Sequence, residues 1–566
     1  MYIDIVPNRS SPPAILLRES VREGKRTIKR TIANLSGLSI EQAELIRRVL
    51  RGDKLAPIEA TFEVRRSRAH GHVDVVQRMM GKLHFARLLA TRSCRERDII
   101  CAMVVQRIIA PQSKLATSAV WLDSTAAEVF GVEDASLDEL YGALDWLLKR
   151  QSAIERKLVS RHLADGDLVL YDLSSSYYEG RTCPLALRGH SRDRKRGTRQ
   201  INFGLLTDGR GCPVAVSVFP GNTSDVHTLM PQVDRLISEY GLKQITVVGD
   251  RGMITSKHVE AFAERDGVHW VTALKSGGIQ KLVSSDALQL ELFDERNLFE
   301  FEDAGFPGQR LIACRNPRLA VRRARKRQEL LDATVEMLSR IRTSVEAGRL
   351  TGPDAIGLAV GRVVNARKVA KHFILDIQDG HFDFRIDDHA VAVEASLDGI
   401  YVIRTDVPAN ELTAEDAVRT YKRLTKVERN FRAMKTEDLH VRPIFHRTED
   451  RVRAHFALCM LAAYVQWHLK DALRALTFTD EDPTDGPDPV APSRRSPSAD
   501  EKATTRTTDD GLPVTSFRAL LAHLGTRTRN LCGHPAMGDS AHAFTIDALP
   551  SPRQQRALEL VGAYPV

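Results

Sequence analysis

Seven cysteines in 566 residues, none in a CxxC pair, are too few and too scattered for a disulfide framework or a zinc site. They stand at 94, 101, 183, 212, 314, 459 and 532, and Cys532 with His534 has no second half. The chain also lacks an apolar run of transmembrane length, and its opening, MYIDIVPNRSSPP, lacks a signal-peptide pattern. No internal repeat recurs, which excludes a solenoid. Together these absences predict no membrane partner and a location in a reducing cytoplasm.

What is present is basic charge. Hydrophobic residues make up 43% of the chain, so it can bury cores of the usual size, and its length allows several domains. Lys plus Arg (82) exceeds Asp plus Glu (73), and the excess is clustered. RGHSRDRKRGTR (188–199) holds six Lys or Arg against one Asp, and CRNPRLAVRRARKR (314–327) holds seven with no acid. One such run is usually a solvated loop. Several together, with no amphipathic anchor, favour nucleic acid over membrane.

Residues 1–73 read as short strands followed by a helix, since SIEQAELIRRVL (39–50) opens with Ser39 and Gln42 at capping-box spacing. Residues 74–165 read as helical, with loops near RIIAPQSK (107–114) and FGVEDAS (130–136). Both segments are candidates for DNA binding, although no clean helix-turn-helix stands out and the helices could be a packing platform. From 166 to 276 the period changes to β-β-β-α-β-α-β, and a last helix is required to cover that sheet. Residues 277–410 intervene, with a strand-like piece (LQLELFDERNLFEFE), a basic helical arm (318–348) and further strands. The closing helix falls in 411–476. The Pro-, Asp- and Thr-rich stretch 477–513 reads as a disordered linker, and 514–566 as a tail.

The stretch YKRLTKVERNFRAMK (421–435) carries six Lys or Arg and one acid, Glu428. A helix from about Thr413 to Lys435 places Val418, Tyr421, Leu424, Glu428, Phe431 and Lys435 on one stripe, with Glu428 facing the core. An inward carboxylate needs a cation. The plain reading is a salt bridge to Arg432 or Lys435. Asp172 in DLVLYDLSSS lies toward the end of the first strand, and Asp250 at the end of the fourth, before Arg251-Gly252. Side chains at such strand ends converge on one rim, where the covering helix can bring Glu428. Three carboxylates that close stay ionised only beside cations, and hard divalent ions with oxygen ligands meet that need. Two such ions would serve a phosphodiester, while the surrounding Lys and Arg hold the backbone. Other readings of the same residues are a turn or strand-end Asp, a phosphatase nucleophile at Asp172 (Ser174 replaces the second acid), and a Ser hydrolase at Ser174–Ser176, for which no GxSxG context exists.

The set YDLSSSYYEG (171–180), PVAVSVFPGNTSDVHTL (213–229), VVGDRGMIT (247–255) and Tyr421, Glu428 and Lys435 at seven-residue steps resembles the DDE transposases of bacterial insertion sequences. The nearest group is the IS-four-type superfamily in its long-chain branch. RIIAPQSKLAT (107–117) and LHVRPIFHRTEDRVRAHFALCMLA (439–462) share that likeness, which covers most of the chain outside 477–513. The resemblance implies an α/β protein with an RNase H-like catalytic core (β-β-β-α-β-α-β-α), interrupted by a β-rich insertion and preceded by an N-terminal β plus helical domain. It implies that Asp172, Asp250 and Glu428 are the catalytic, metal-binding triad for two Mg²⁺ ions, with Mn²⁺ as a substitute. Tyr421 and Lys435 match its DNA-contacting positions; its usual Arg is Leu424 here, with Arg423 adjacent. Arg432, Arg251 and Arg442 are further candidate DNA contacts. Arg451 and His455, on the following helix, read as packing partners with His446, and Asn222 and Asp225 as helix-capping residues.

The implied activity is transposition: binding terminal inverted repeats, metal-dependent strand cleavage, and strand transfer into target DNA. Expected partners are the element ends, target DNA and a second copy of the chain in a synaptic complex. The expected location is the bacterial cytoplasm, at the nucleoid when on DNA. Two alternatives are a catalytically inactive DNA-binding relic or repressor, and an RNase H-fold nuclease that joins no strands.

Overall fold

The computed structural model describes residues 1–53, 62–193, 195, 197–285, 287–289, 293–294, 296–486, 488–533 and 543–565. His534, Arg194, Arg196 and part of the strand-like piece 288–302 lie outside the described residues. The chain forms two compact units, residues 1–68 with 528–548, and residues 69–527 with 549–566.

In the first unit, β1 (Tyr2–Val6), β2 (Ala14–Glu23) and β3 (Arg26–Asn34) make an antiparallel meander, and α1 (Ile40–Leu50) follows. Alternation drives it: Ile3 and Ile15 turn inward against Ala43 of the helix. The Ser39 hydroxyl accepts from the Gln42 N–H at 3.2 Å while Gln42 Oε1 accepts from the Ser39 N–H at 2.9 Å, the reciprocal cap that the spacing predicts. A second sheet pairs β4 (Glu63–Ala69) with Thr528–Gly533, which pairs in turn with Phe544–Asp547. The expected tail is thus divided, because its strands need β4 as a partner while its helices pack elsewhere.

The second unit opens with the helices α2 (Gly71–Lys82), α3 (Phe85–Leu89), α4 (Arg95–Ile109), α5 (Lys114–Ala119), α6 (Leu137–Leu148) and α7 (Gln151–His162). Then come β5 (Leu168–Tyr178), the short β6 (Leu187–Arg188), β7 (Arg199–Asp208), β8 (Pro213–Pro220), α8 (Val226–Asp234), β9 (Ile245–Val248), α9 (Ser256–Ala263) and β10 (Val268–Ala273). The intervening segment holds α10 (Ser276–Ser284), β11 (Leu298–Phe301), β12 (Arg310–Arg315), α11 (Pro317–Glu346), α12 (Pro353–Arg367), β13 (Phe373–Gln378), β14 (His381–Ile386), α13 (Asp388–Ala395) and β15 (Ile400–Thr405). Helices α14 (Ala414–Lys422), α15 (Leu424–Arg432), α16 (Glu449–Ala472), α17 (Pro497–Thr505), α18 (Phe517–Gly525) and α19 (Pro552–Ala563) complete it.

The fold is mixed α/β around one nine-stranded sheet, ordered β11-β12-β15-β10-β9-β5-β7, with β6 and β8 both pairing β7. Strands β5, β9 and β10 run parallel; the other pairings are antiparallel. The insertion differs from the expected β-rich domain in one respect. Its strands β11, β12 and β15 extend the central sheet, because an exposed edge at β10 is satisfied by adding strands. Helices α11 and α12 and the β13–β14 hairpin make a separate small core around Leu331, Leu338, Val360 and Phe382, and α10 makes another against β12 and β15, around Ile279, Leu282, Leu311 and Val402.

Helix α16 is apolar on nearly every side and buried from Val452 to Leu469, packed on β8, α4 and α6. The N-terminal helices therefore share the sheet's hydrophobic core. Among the described residues no helix is long and apolar enough to cross a membrane.

Residues 477–513, expected to be a disordered linker, hold α17 and lie along the unit. Lys422 Nζ donates to the carbonyls of Pro489 (2.6 Å) and Ala491 (2.5 Å), and Lys502 Nζ donates to Thr479 O (3.0 Å) and Glu481 Oε1 (2.8 Å). Apolar content is too low to order the segment by itself. Lys422 of α14 fixes the segment from outside, Lys502 of α17 ties it to itself, and Val490 is buried in the shared core.

Candidate active site

Strand register brings the two aspartates together. Strands β5 and β9 pair Leu168 with Thr246, Val169 with Val247 and Leu170 with Val248. Two residues beyond the last pair lie Asp172, still within β5, and Asp250, just past the end of β9. Asp172 is not at a strand end, as expected, since β5 continues to Tyr178 on its other neighbour, β7. The rim exists because β9 stops first, at Val248. Past that point Gly249 N–H bonds to Val271 O of β10, and the chain turns at Asp250-Arg251.

The covering helix is two segments, α14 and α15, joined at Arg423, followed by a π turn over Ala433–Glu437. Thr413 caps α14 by accepting from the Asp416 N–H at 3.1 Å. Leu424, Val427 and Phe431 are buried, and α15 packs on β5. The β7–β8 turn seats the same helix: Asn430 Nδ2 donates to Gly211 O at 2.7 Å. Gly211 has φ +91°, and a Cβ there would stand 2.7 Å from Lys426 Cβ, so only glycine allows this approach. Glu428 differs from its expected core-facing position. It is exposed, one step around from the buried stripe, and looks into a cleft. A carboxylate on a basic helix gains hydration there that a packed core would deny.

Asp172, Asp250 and Glu428 line that cleft together, with a volume of about 480 Å³. Arg251, Tyr421 and Leu424 line it too, as do Lys422 and Arg323. Asp172 Oδ1 accepts from the Leu173 N–H at 2.7 Å. Asp250 Oδ1 accepts from the Arg251 N–H at 2.8 Å and from the Tyr421 hydroxyl at 3.1 Å. Burial, assisted by the charges of Asp250 and Glu428, pushes the Asp172 carboxyl up to about 7, against the opposing effects of the Leu173 N–H and Arg192. Burial and then the Asp250 charge hold the Tyr421 phenol protonated, so it remains a donor.

Three acids, one of them made reluctant to ionise by burial and its neighbours, form the donor set that a hard divalent cation stabilises. Among the described residues, only His162, Cys212 and His468 form a group with all ligand atoms within 4.8 Å of one another, so the three carboxylates stand farther apart. The His–Cys group opposes a cation: His162 already bonds Arg210 Nη2 (3.1 Å) and the Tyr464 hydroxyl (3.1 Å), His468 bonds the Tyr564 hydroxyl (3.1 Å), and the Arg161 and Arg210 charges beside both imidazoles repel one.

The other expected contacts divide. Lys435 is buried and pairs with Asp193 Oδ1 at 3.1 Å, and Arg442 pairs with Asp193 Oδ2 and lies over the Tyr177 ring at 5.1 Å. A single acid in the basic 188–199 run thus holds both cations. Arg251 is exposed at the cleft, Arg423 is half-buried at the joint between α14 and α15, and Arg432 is exposed. Asp225 does not cap α8 with its side chain; its carboxylate pairs with Arg192 at 2.5 Å. Arg451 pairs with Asp145 at 3.1 Å, and His455 Nε2 bonds Val441 O at 2.8 Å, consistent with packing roles. Arg192, which faces Asp172, and Arg323, which lines the cleft, had no individual signal beyond the two basic runs that contain them.

The family profile of the Transposase DDE domain matches residues 181–465, and that of the IS1634 family transposase N-terminal domain matches residues 3–59. No curated protein matches the chain. Among solved structures, the piggyBac transposase in its synaptic complex with hairpin DNA covers 80% of this chain and 77% of its own, at 8% identity and a TM-score of 0.32, too distant to carry an argument. With half its length matched by one transposase profile and its N-terminal segment by another, the chain belongs to the DDE transposase family of bacterial insertion sequences.

Proposed function

We propose that the sheet β8-β7-β5-β9-β10 is an RNase H-like core in which Asp172, Asp250 and Glu428 hold two divalent ions, Mg²⁺ or in its place Mn²⁺. The protein binds the ends of its own element, cleaves there with water, and joins the freed 3′-hydroxyl to target DNA. The observation that supports this best is that Asp172 of β5, Asp250 just past β9, its parallel neighbour, and Glu428 of α15 line one cleft. Divalent ions held there supply the charge that activates the attacking oxygen and steadies the leaving one. The chain's own residues do the rest. Tyr421 orients Asp250 through its hydroxyl, and Arg251, Arg323 and Lys422 give the cleft wall positive charge for a phosphate backbone. Lys435 and Arg442 reach DNA only by exchanging Asp193 for a phosphate. Two ends must be joined in one event, which favours a dimer or larger synaptic complex at the bacterial nucleoid.

The joining assay separates this reading from a nuclease or an inactive relic. Purified protein given a pre-cleaved 3′-hydroxyl end, Mn²⁺ and a supercoiled plasmid should yield joined product. Cleavage without joining would support the nuclease, and binding alone would support the relic.

Metal binding should be linked to pH through Asp172. Its folded pKa lies above the ordinary carboxyl value, so in the metal-free protein its contribution to stability is full at low pH and is lost as pH rises toward 7. A divalent ion replaces the proton. The rise in Tm caused by Mn²⁺ should be largest above pH 7 and shrink below it; a pH-independent rise would place the ion elsewhere. Tyr421→Phe removes a hydrogen bond to the Asp250 carboxylate, worth about 1.5–3 kcal/mol. It should slow cleavage by roughly ten- to a hundredfold, with little change in DNA affinity in a filter-binding titration.

A further inference from the structure

A second pocket, of about 320 Å³, lies between the α4–α5 loop and the segment leading into α16. Its walls bring together the two sequence stretches 107–117 and 439–462 that the catalytic cleft leaves unused. Arg107, Lys114, His440, Arg442, His446 and His455 line it, and no Asp or Glu does. Two of the cations are already matched, Arg442 by Asp193 and Arg451, close by, by Asp145. Among the described residues, no acid matches Arg107 or Lys114.

Lys114 is 3% exposed, and among the described residues it has no carboxylate partner. Its one hydrogen bond, at 3.5 Å, runs to Nδ1 of His455, whose Nε2 bonds the Val441 carbonyl. Arg107 is 5% exposed, and among the described residues its side chain makes only two long hydrogen bonds, from Nη1 at 3.4 Å to Leu439 O and His440 O. A buried ammonium beside a buried guanidinium costs several kcal/mol as an order of magnitude, unless an anion neutralises them. Burial first and Arg107 second drive the Lys114 ammonium toward its neutral form. His446 is likewise pushed down, to about 3, by burial and then by Lys114.

We propose that this pocket binds a phosphate group, gripped by Lys114 and Arg107. Guanidinium and ammonium donors with no competing acid suit a tetrahedral oxyanion. The mouth is apolar, with Phe445 and Leu115 each 64% exposed, and Tyr141 forms part of the wall. Such a rim accommodates the sugar and base attached to a backbone phosphate better than a hydrated free ion. The source is therefore a DNA phosphodiester, with a free phosphate as the alternative that the experiment distinguishes. This site does not depend on the catalytic reading of the acidic cleft.

The test compares the full-length protein with Lys114→Met, which keeps the length of the stem and removes the charge. Tm is measured in inorganic phosphate and in chloride at matched ionic strength. Wild type should rise with phosphate concentration; Lys114→Met should be at least as stable in chloride and show no phosphate-dependent rise. No rise in wild type overturns the proposal without any variant, and an equal rise in Lys114→Met places the phosphate elsewhere and overturns it too. Binding of a fixed duplex is then followed against salt. A slope of log Kobs against log salt smaller by about 1 in Lys114→Met identifies a DNA phosphate. An unchanged slope, with the phosphate-dependent rise confined to wild type, identifies a free oxyanion as the occupant.

Discussion

Asp172→Asn should abolish metal-dependent cleavage and joining, by about a thousandfold or more, while DNA binding persists. The size follows from the site. Asp172 stands where β5 outlasts its parallel neighbour β9, and it lines one cleft with Asp250 and Glu428. An amide in its place offers a weaker ligand, and a loss of ~4 kcal/mol of transition-state stabilisation is about a thousandfold in rate. The variant should also fold. Burial and the neighbouring acids penalise the Asp172 carboxylate in the metal-free protein. Replacing it with a neutral isostere should leave Tm unchanged or raised near pH 8, and remove the rise caused by Mn²⁺. Glu428→Gln should lose activity similarly with little change in Tm, because Glu428 is exposed to the cleft. Cleavage retained at near wild-type rate in either variant would sink the triad assignment.

Phe431→Ala should lower stability by about 3–5 kcal/mol, the range for truncating a buried aromatic ring. Phe431 is 5% exposed and meets Phe203 of β7 edge-on at 5.2 Å between centroids. Phe203 in turn lies 4.6 Å from Phe456 of α16. The ring thus ties the helix carrying Glu428 to both the sheet and the central helix. Urea titration should show a lower midpoint with an unchanged slope. Well below the new midpoint the variant should still cleave more slowly, since Glu428 loses the packing that fixes its helix. An unchanged midpoint would mean that α15 does not depend on this contact.

The strands were legible because alternation and turn dipeptides are local signals: β5, β7, β8, β9 and β10 all lie where the period changes after residue 166. Helix α15 was legible for the same reason, but the direction of Glu428 was not. A stripe at three- and four-residue steps is about a quarter of the helix circumference wide, and a residue at its margin can face either core or cleft. Arg423 also divides the helix there, between α14 and α15. The linker reading of 477–513 failed because composition measures apolar burial alone, whereas Lys422 and Lys502 fix that segment through backbone carbonyls. Lys435 was legible as a cation on the stripe; that Asp193 holds it, together with Arg442, depends on a loop 242 residues away in the chain.

By itself the sequence determined the family and the order along the chain of the core strands, and it singled out the three acids proposed as the triad, because each rests on residues near one another in the chain or on motifs of fixed spacing. Only the tertiary structure decided that β11, β12 and β15 extend the central sheet, that Glu428 faces the cleft, and that Arg107 and Lys114 share a pocket without an acid. Those outcomes depend on which distant partners satisfy an open strand edge, a carboxylate or a buried ammonium. Such partners are chosen by packing in three dimensions, for which no local pattern in the chain exists.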